Sequence, residues 1–384
     1  MYKLNKPFAS QLYGYALSGI FAIAMVLSMA GAFFSTAQQS EVENRRFNAL
    51  PELPDSFATW ETFPQRFEAF FNDHFGFRAA LIRTNTSLST TLLDRLPSND
   101  VIAGKDDWLF YAAENALALY QRTAPLSPQV MDGWLSGLSE RVKWLAMQGV
   151  DYAFVVAPDK HTIHAEKMPR YLRVSNVPSQ HDQIVDLARA NALPVIDLRP
   201  TLLAAKADGQ VYYRDDTHWN KWGAYLAYRE IMGQLAQRVS AKPVNLQASD
   251  FEIQPYGPGD LARMALMQRT EMVPILNTAA SSCVSDAEKI RWDAVQSRGQ
   301  NVGTPLIVRM RCEGGKGKLL LFGDSFSDVL FSYFAASFEE VVAVWSAPTT
   351  KQMQELVMQE RPDFVLEERV ERHLKRIPNP PPKR

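Results

Sequence analysis

A chain of 384 residues is long enough for two or three domains of ordinary size or one large one, each with its own core. At 46% hydrophobic and 22% charged, its composition excludes a disordered, collagen-like or coiled-coil protein. Forty-one basic against forty-two acidic side chains leave a formal charge of -1, which excludes a global field that would gather nucleic acid.

From Pro7 to Ser40 no Asp, Glu, Lys or Arg occurs, and Gly14 to Phe34 is almost wholly apolar or small. About 20 residues of helix cross the hydrocarbon layer, so a transmembrane anchor is predicted over 11–36, with 1–10 in the cytoplasm behind Lys3 and Lys6. A cleaved signal peptide is the alternative, because Ala30-Gly31-Ala32 has the small-x-small pattern of a cleavage site. Both readings export the remainder to the periplasm. Residues 37–100 read as a membrane-proximal linker and helices. Trp60, Phe63, Phe67, Phe70 and Phe71 recur at helical spacing, and a second apolar helix is expected over 79–93. Two short strands are expected around the turn of Val101 to Tyr111.

Beyond Tyr120 apolar strands alternate with amphipathic helices. Strands are predicted at Tyr152 to Ala157, Pro194 to Leu198, Lys318 to Phe322, Glu340 to Trp345 and Asp363 to Glu367. Helices are predicted at Pro128 to Gln148, His181 to Asn191, Tyr225 to Arg238, Asp328 to Phe338 and Gln352 to Gln359. This pattern predicts an α/β fold over 101–384, a mainly parallel sheet flanked by helices. The alternation fails around 243–317, which reads as an insertion or lid. It holds the only two cysteines, Cys283 and Cys312, expected to form a disulfide in an oxidising compartment.

Three segments place reactive groups just past strands, where open parallel sheets build their sites. Gly323-Asp324-Ser325 puts a hydroxyl between a strand and a helix, where backbone N–H groups can meet an oxyanion, although a plain helix cap would use the same residue. Asp216-Thr217-His218 offers a base and an orienting carboxylate two residues apart, with Asp215 as the close alternative to Asp216. The third segment holds Asp159, Lys160, His161 and His164. Its histidines lack the register of a metal site, and Lys160 is a candidate for touching donor or acceptor. Tyr212, Tyr213, Trp219 and Trp222 surround the His218 loop and could wall a sugar groove, with core packing as the alternative for each.

Gly323 to Ser327 resembles the GDS nucleophile block of SGNH-type esterases, and Asp216-Thr217-His218-Trp219 resembles the D-x-H-W motif of the SGNH-like alginate O-acetyltransferases. The blocks Glu43 to Arg45, Phe70 to Arg78, Gly104 to Tyr111 and Pro158 to Lys160 look like that family's too. The resemblance implies an inner-membrane-anchored periplasmic enzyme that moves acetyl groups onto an exopolysaccharide such as alginate. Ser325, His218 and Asp216 match the nucleophile, base and orienting acid, and no cofactor, metal or nucleotide is implied. It also implies a multispanning membrane acyltransferase as acetyl donor and a polysaccharide as acceptor. Two departures stand out: Asp and His precede the serine, unlike in ordinary SGNH esterases, and no Gly-x-Asn-Asp block supplies oxyanion donors. An acetylesterase using water, or a silent polysaccharide-binding component of an export complex, are the alternative readings.

Overall fold

The structure, a computed structural model, describes residues 45–75, 98–277 and 306–378 continuously, with isolated positions between 15 and 40 and at 84 and 96. The chain divides into two units, Met1–Ser98 with Arg263–Gln268, and Asn99–Ala262 with Arg269–Arg384.

In the first unit, helix α1 (Phe57–His74) starts at Ser56, whose hydroxyl accepts from Thr59 N–H while Thr59 Oγ1 accepts from Ser56 N–H. This reciprocal pair satisfies two of the donors that a helix start leaves open. Along it Phe63, Phe67 and Phe70 form a ring-to-ring ladder ending in His74. The expected anchor over 11–36 and helix over 79–93 fall largely outside the described residues. Among the described residues, no helix is long and apolar enough to cross a membrane.

The second unit opens with a hairpin, β1 (Val101–Ala103) and β2 (Leu109–Tyr111). There follow α2 (Pro128–Met147), β3 (Asp151–Ala157), α3 (Gln180–Ala190), β4 (Val195–Asp197) and α4 (Lys221–Leu235). A second hairpin, β5 (Phe251–Tyr256) and β6 (Glu271–Leu276), precedes β7 (Ile307–Arg311). The chain closes with β8 (Lys318–Gly323), α5 (Ser327–Ala335), β9 (Glu340–Trp345), α6 (Thr350–Glu360) and β10 (Phe364–Val370). The central sheet has the order β4-β3-β10-β8-β9-β7, parallel throughout except for the antiparallel edge strand β7.

Strand residues point alternately to the two faces, so each central strand feeds two cores. Leu319 and Leu321 pack with Tyr228, Phe331 and Phe334 on one face; Leu320 and Phe322 pack with Trp134, Leu145 and Leu356 on the other. That is why these strands read as unbroken apolar runs.

One expectation needs correcting. The stretch set apart as an insertion over 243–317 includes β7, which belongs to the sheet and registers Val341 against Met310. Its alternating Ile-Val-Arg-Met-Arg is the signature of a half-exposed edge, weaker than the apolar runs of the central strands. Cys312, just after it, is disulfide-bonded. Cys283 lies outside the described residues.

Candidate active site

The turn after β8 is pinned from several sides. A Cβ on Gly323 would lie 2.4 Å from Ser327 Oγ and 2.5 Å from Ser327 Cβ, so only glycine allows the chain to fold back so tightly. Asp324 N–H donates to Glu368 Oε2 (3.1 Å), and the Asp324 carboxylate accepts from Phe326 N–H (3.0 Å) and Val370 N–H (2.9 Å). Ser325, half-buried, is thereby presented at the start of α5 on the carboxyl edge of the sheet. Burial and the neighbouring Asp324 charge push the Glu368 carboxyl behind the turn well above its ordinary range.

The second segment is a closed loop ahead of α4. Tyr212 and Trp219 pair across it in an antiparallel bridge, Tyr213 N–H donates to His218 O (3.2 Å), and Asn220 caps α4 through Gly223 N–H (2.9 Å). Beneath the loop, Lys160 Nζ donates to the carbonyls of Tyr213 (3.2 Å), Arg214 (3.0 Å) and Asp216 (2.7 Å). Burial lowers this amine to about 8 although four surrounding carboxylates act to raise it.

These two loops bring together side chains 107 residues apart. His218 Nε2 lies 2.7 Å from Ser325 Oγ, and its Nδ1 lies 2.6 Å from Asp216 Oδ1. A carboxylate on Nδ1 requires the proton there, which leaves the Nε2 lone pair facing the serine hydroxyl. Burial of Asp216 favours its neutral form, but the adjacent His218 and the hydrogen bonds on its oxygens outweigh that and hold the carboxyl below the usual range. For His218, burial acts to lower the imidazole, and the Asp216 charge and hydrogen bond reverse it, leaving a net rise. The arrangement can accept a proton from Ser325, hold it on an imidazolium paired with carboxylate, and return it.

The sequence reading missed the β5–β6 hairpin's part in this site. Tyr256 OH and Asp260 N–H both donate to Asp216 Oδ2 at 3.0 Å. Asp260 accepts from Thr217 N–H (2.7 Å) and Thr217 Oγ1 (2.5 Å), and its Oδ2 lies 3.7 Å from His218 Nδ1. Burial and the Asp216 charge raise the Asp260 carboxyl. A Cβ on Gly259 would stand 2.4 Å from Asp215 O and 2.8 Å from Asp216 Cβ, so glycine permits this approach. The run Tyr256-Gly257-Pro258-Gly259-Asp260 is a readable turn signal, but nothing local says what the turn touches.

Other candidates are placed differently. Lys160 is buried with its donors directed at backbone carbonyls, so it supports the loop rather than facing a substrate. Tyr213 is buried and stacked on Tyr256 at 4.1 Å. Trp219 is fully buried, edge-on to Phe326, so its indole offers no free face of the kind a sugar platform needs, while Trp222 is half-buried against Phe251. Core packing, the alternative for Tyr212, Tyr213 and Trp219, is where they are found. Asp215 turns away to pair with Arg269. Asp159 binds Arg372 (2.6 Å), His161 meets Tyr111 O (2.7 Å) and His164 faces Glu166, so these three do not converge. Asp216, His218 and Asp260 each offer a ligand atom within 4.8 Å of the others, but the same side chains already bind one another and Thr217.

Residues 101–356 match the family model described as "SGNH hydrolase-like domain, acetyltransferase AlgX". The probable alginate O-acetylase AlgJ of Pseudomonas aeruginosa is 29% identical over 160 residues, 41% of this chain and 38% of that one. Its Pseudomonas putida namesake is 31% identical over 131 residues, 33% of this chain and 31% of that one. The chain thus spans about two fifths or less of the length of the curated relatives it matches. The solved O-acetyltransferase domain of Pseudomonas putida AlgJ, 19% identical, aligns over 72% of this chain and 92% of its own with a TM-score of 0.45.

Proposed function

The chain belongs to the family of SGNH hydrolase-like domains of the acetyltransferase AlgX, and from that premise we propose that it is an O-acetyltransferase acting on an exported polysaccharide. The observation that carries the reading is the hydrogen-bonded line Asp216–His218–Ser325 at the carboxyl edge of the sheet. In the proposed reaction Ser325 Oγ attacks an acetyl ester or thioester while its proton passes to His218 Nε2, and the leaving group takes that proton as the tetrahedral intermediate collapses. A sugar hydroxyl then gives its proton to His218 and attacks the acetyl-serine, which releases the Ser325 oxygen to take the proton back. Ser325 N–H, at the start of α5 and outside the hydrogen bonds of the turn, is suited to the oxyanion, whereas Phe326 N–H is held by Asp324.

Alginate enters as a candidate acceptor because the curated relatives are named probable alginate O-acetylases. The charge-free run from Pro7 to Ser40 supports a single-pass inner-membrane anchor that holds the enzyme on the periplasmic side. Anchoring would set the site beside a membrane acyltransferase able to deliver acetyl groups.

The test follows both half-reactions. The full chain receives a labelled activated acetyl ester with or without deacetylated polysaccharide. Label in the polymer, dependent on Ser325, supports transfer; label wholly in free acetate, at a rate indifferent to several polymers, makes the protein an esterase. Absence of any ester cleavage leaves the silent polysaccharide-binding component.

A further inference from the structure

A cavity of about 290 Å³ lies outside the Ser325 site. Leu119, Leu126 and Val130 supply apolar lining, and Glu114, Gln180, Arg372 and Lys375 supply polar and charged lining. The volume is at the small end of the range of ligand sites, about 300–1,000 Å³, which suits one ring rather than an extended cofactor.

Behind this lining, two polar atoms of the same residues are buried without a partner among the described residues. Gln180 is 8% exposed, and its Nε2 donates to Ala124 O at 2.6 Å, which fixes the amide orientation because a carbonyl needs a donor. Its buried Oε1 then has no partner among the described residues. Arg372 Nη1 binds Asp159, but the buried Nε makes no hydrogen bond among the described residues, with Glu114 Oε2 3.4 Å away.

Opposite demands on one wall narrow the ligand. An anion would suit Arg372 and Lys375 but meet Glu114 with the wrong sign. An amine would suit Glu114 and be repelled by Arg372 and Lys375. An alkyl group would leave all three unmet. Hydroxyls both donate and accept, and a pyranose carries them around its rim while its C–H face fits an aliphatic wall.

Position links the cavity to the reaction. Helices α2 and α3 each precede a parallel strand and run back against it, so Ser127 and Gln180 at their starts lie on the carboxyl edge of the sheet, as Ser325 does. Arg372 follows β10, the hydrogen-bonded neighbour of β8, and adjacent strands are about 4.8 Å apart. His373 bridges the two places, with Nδ1 3.8 Å from Asp324 Oδ2 and Nε2 3.2 Å from Glu114 Oε2. We propose that this cavity is a sugar subsite, holding a pyranose unit of the acceptor that flanks the unit acetylated at Ser325. The inference rests on the transferase reading and adds where the polymer is gripped.

Two probes separate the sources of the ring: cellohexaose, neutral, and a hexamer of mannuronate, acidic. Calorimetric titration of the full-length protein should show binding of at least one. Val130→Phe and Leu119→Phe, which fill the cavity from two positions without altering charge, should each raise Kd tenfold or more. Hydrogen–deuterium exchange on the unaltered protein, which needs no variant to fold, should show protection in segments 114–130 and 372–375 when the hexaose or hexamer binds. Kd within twofold in either folded variant, binding without protection of those segments, or no binding of either probe each overturns the subsite. Acetyl transfer to polymer by the unaltered protein reports separately on the transferase reading, which can stand when the subsite falls.

Discussion

At the scale of single residues, the proposed chemistry rests on one oxygen and the groups that tune its base. Ser325→Ala should lower acetyl transfer about 10⁵-fold with the thermal midpoint little changed, because the hydroxyl is half-exposed and belongs to no core. Residual activity above a tenth in folded protein would rule Ser325 out as nucleophile. The pH profile has a definite sign. His218 works as a base only when neutral, and its pairing with Asp216 raises it above 6.5, so kcat/KM should fall on the acid side with a midpoint above 6.5. Asp216→Asn removes the raising charge and should move the midpoint of whatever activity remains to lower pH, alongside a loss of about 10⁴ in rate. A midpoint that does not move would place the titrating group elsewhere. Tyr256→Phe removes one of the donors on Asp216 Oδ2 and leaves the ring stacked on Tyr213. A charge-assisted hydrogen bond contributes about 1.5–3 kcal/mol, so the expected loss in kcat/KM is roughly tenfold to a hundredfold.

At the scale of elements, the site is three loops held in register by side chains whose own roles are structural. The β5–β6 hairpin reaches the Asp216 loop only because Gly259 has no side chain. Gly259→Ala should therefore force the turn away from Asp215, lowering kcat more than it raises KM, and kinetics unchanged from the parent would show that the hairpin does not set Asp216. Lys160 supports the same loop from below. Replacing it by Met keeps the length of the chain but leaves three carbonyls without their donor, at about 1–3 kcal/mol for each left unsatisfied. Lys160→Met should lower the thermal midpoint clearly, and retention of wild-type stability would contradict the supporting role. Much of this scale was legible beforehand. The strand at Glu340–Trp345 was predicted to the residue, and the helix at Pro128–Met147 within one residue, because apolar runs and helical spacing are local properties. Edge strand β7 was not, since alternation of Arg with Val and Met gives a half-exposed strand the look of a loop.

At the scale of the whole molecule, the proposed export would connect the N-terminal segment to the state of the cysteines. Protein taken from the periplasm should show no free thiol by alkylation before reduction, and reduction should release two. A bridge between Cys283 and Cys312 closes a loop of about 30 residues, and its removal by Cys312→Ser should cost about 3–4 kcal/mol in the chain-entropy model. Two thiols alkylated without reduction would refute the pairing.

By itself the sequence determined the α/β class, the place of Ser325 after an apolar strand, and the presence of a carboxylate, Asp215 or Asp216, beside His218, because each depends on neighbours a few residues apart. Only the tertiary structure decided that His218 and Ser325 meet across 107 residues, that Asp215 turns to Arg269, and that Tyr256 and Asp260 join the site. It also decided that Lys160, Tyr213 and Trp219 are interior. The physical reason is that aromatic and charged side chains have the same local pattern whether they face solvent or the back of a loop. Their exposure depends on which distant segment packs over them, and the strand order determines that.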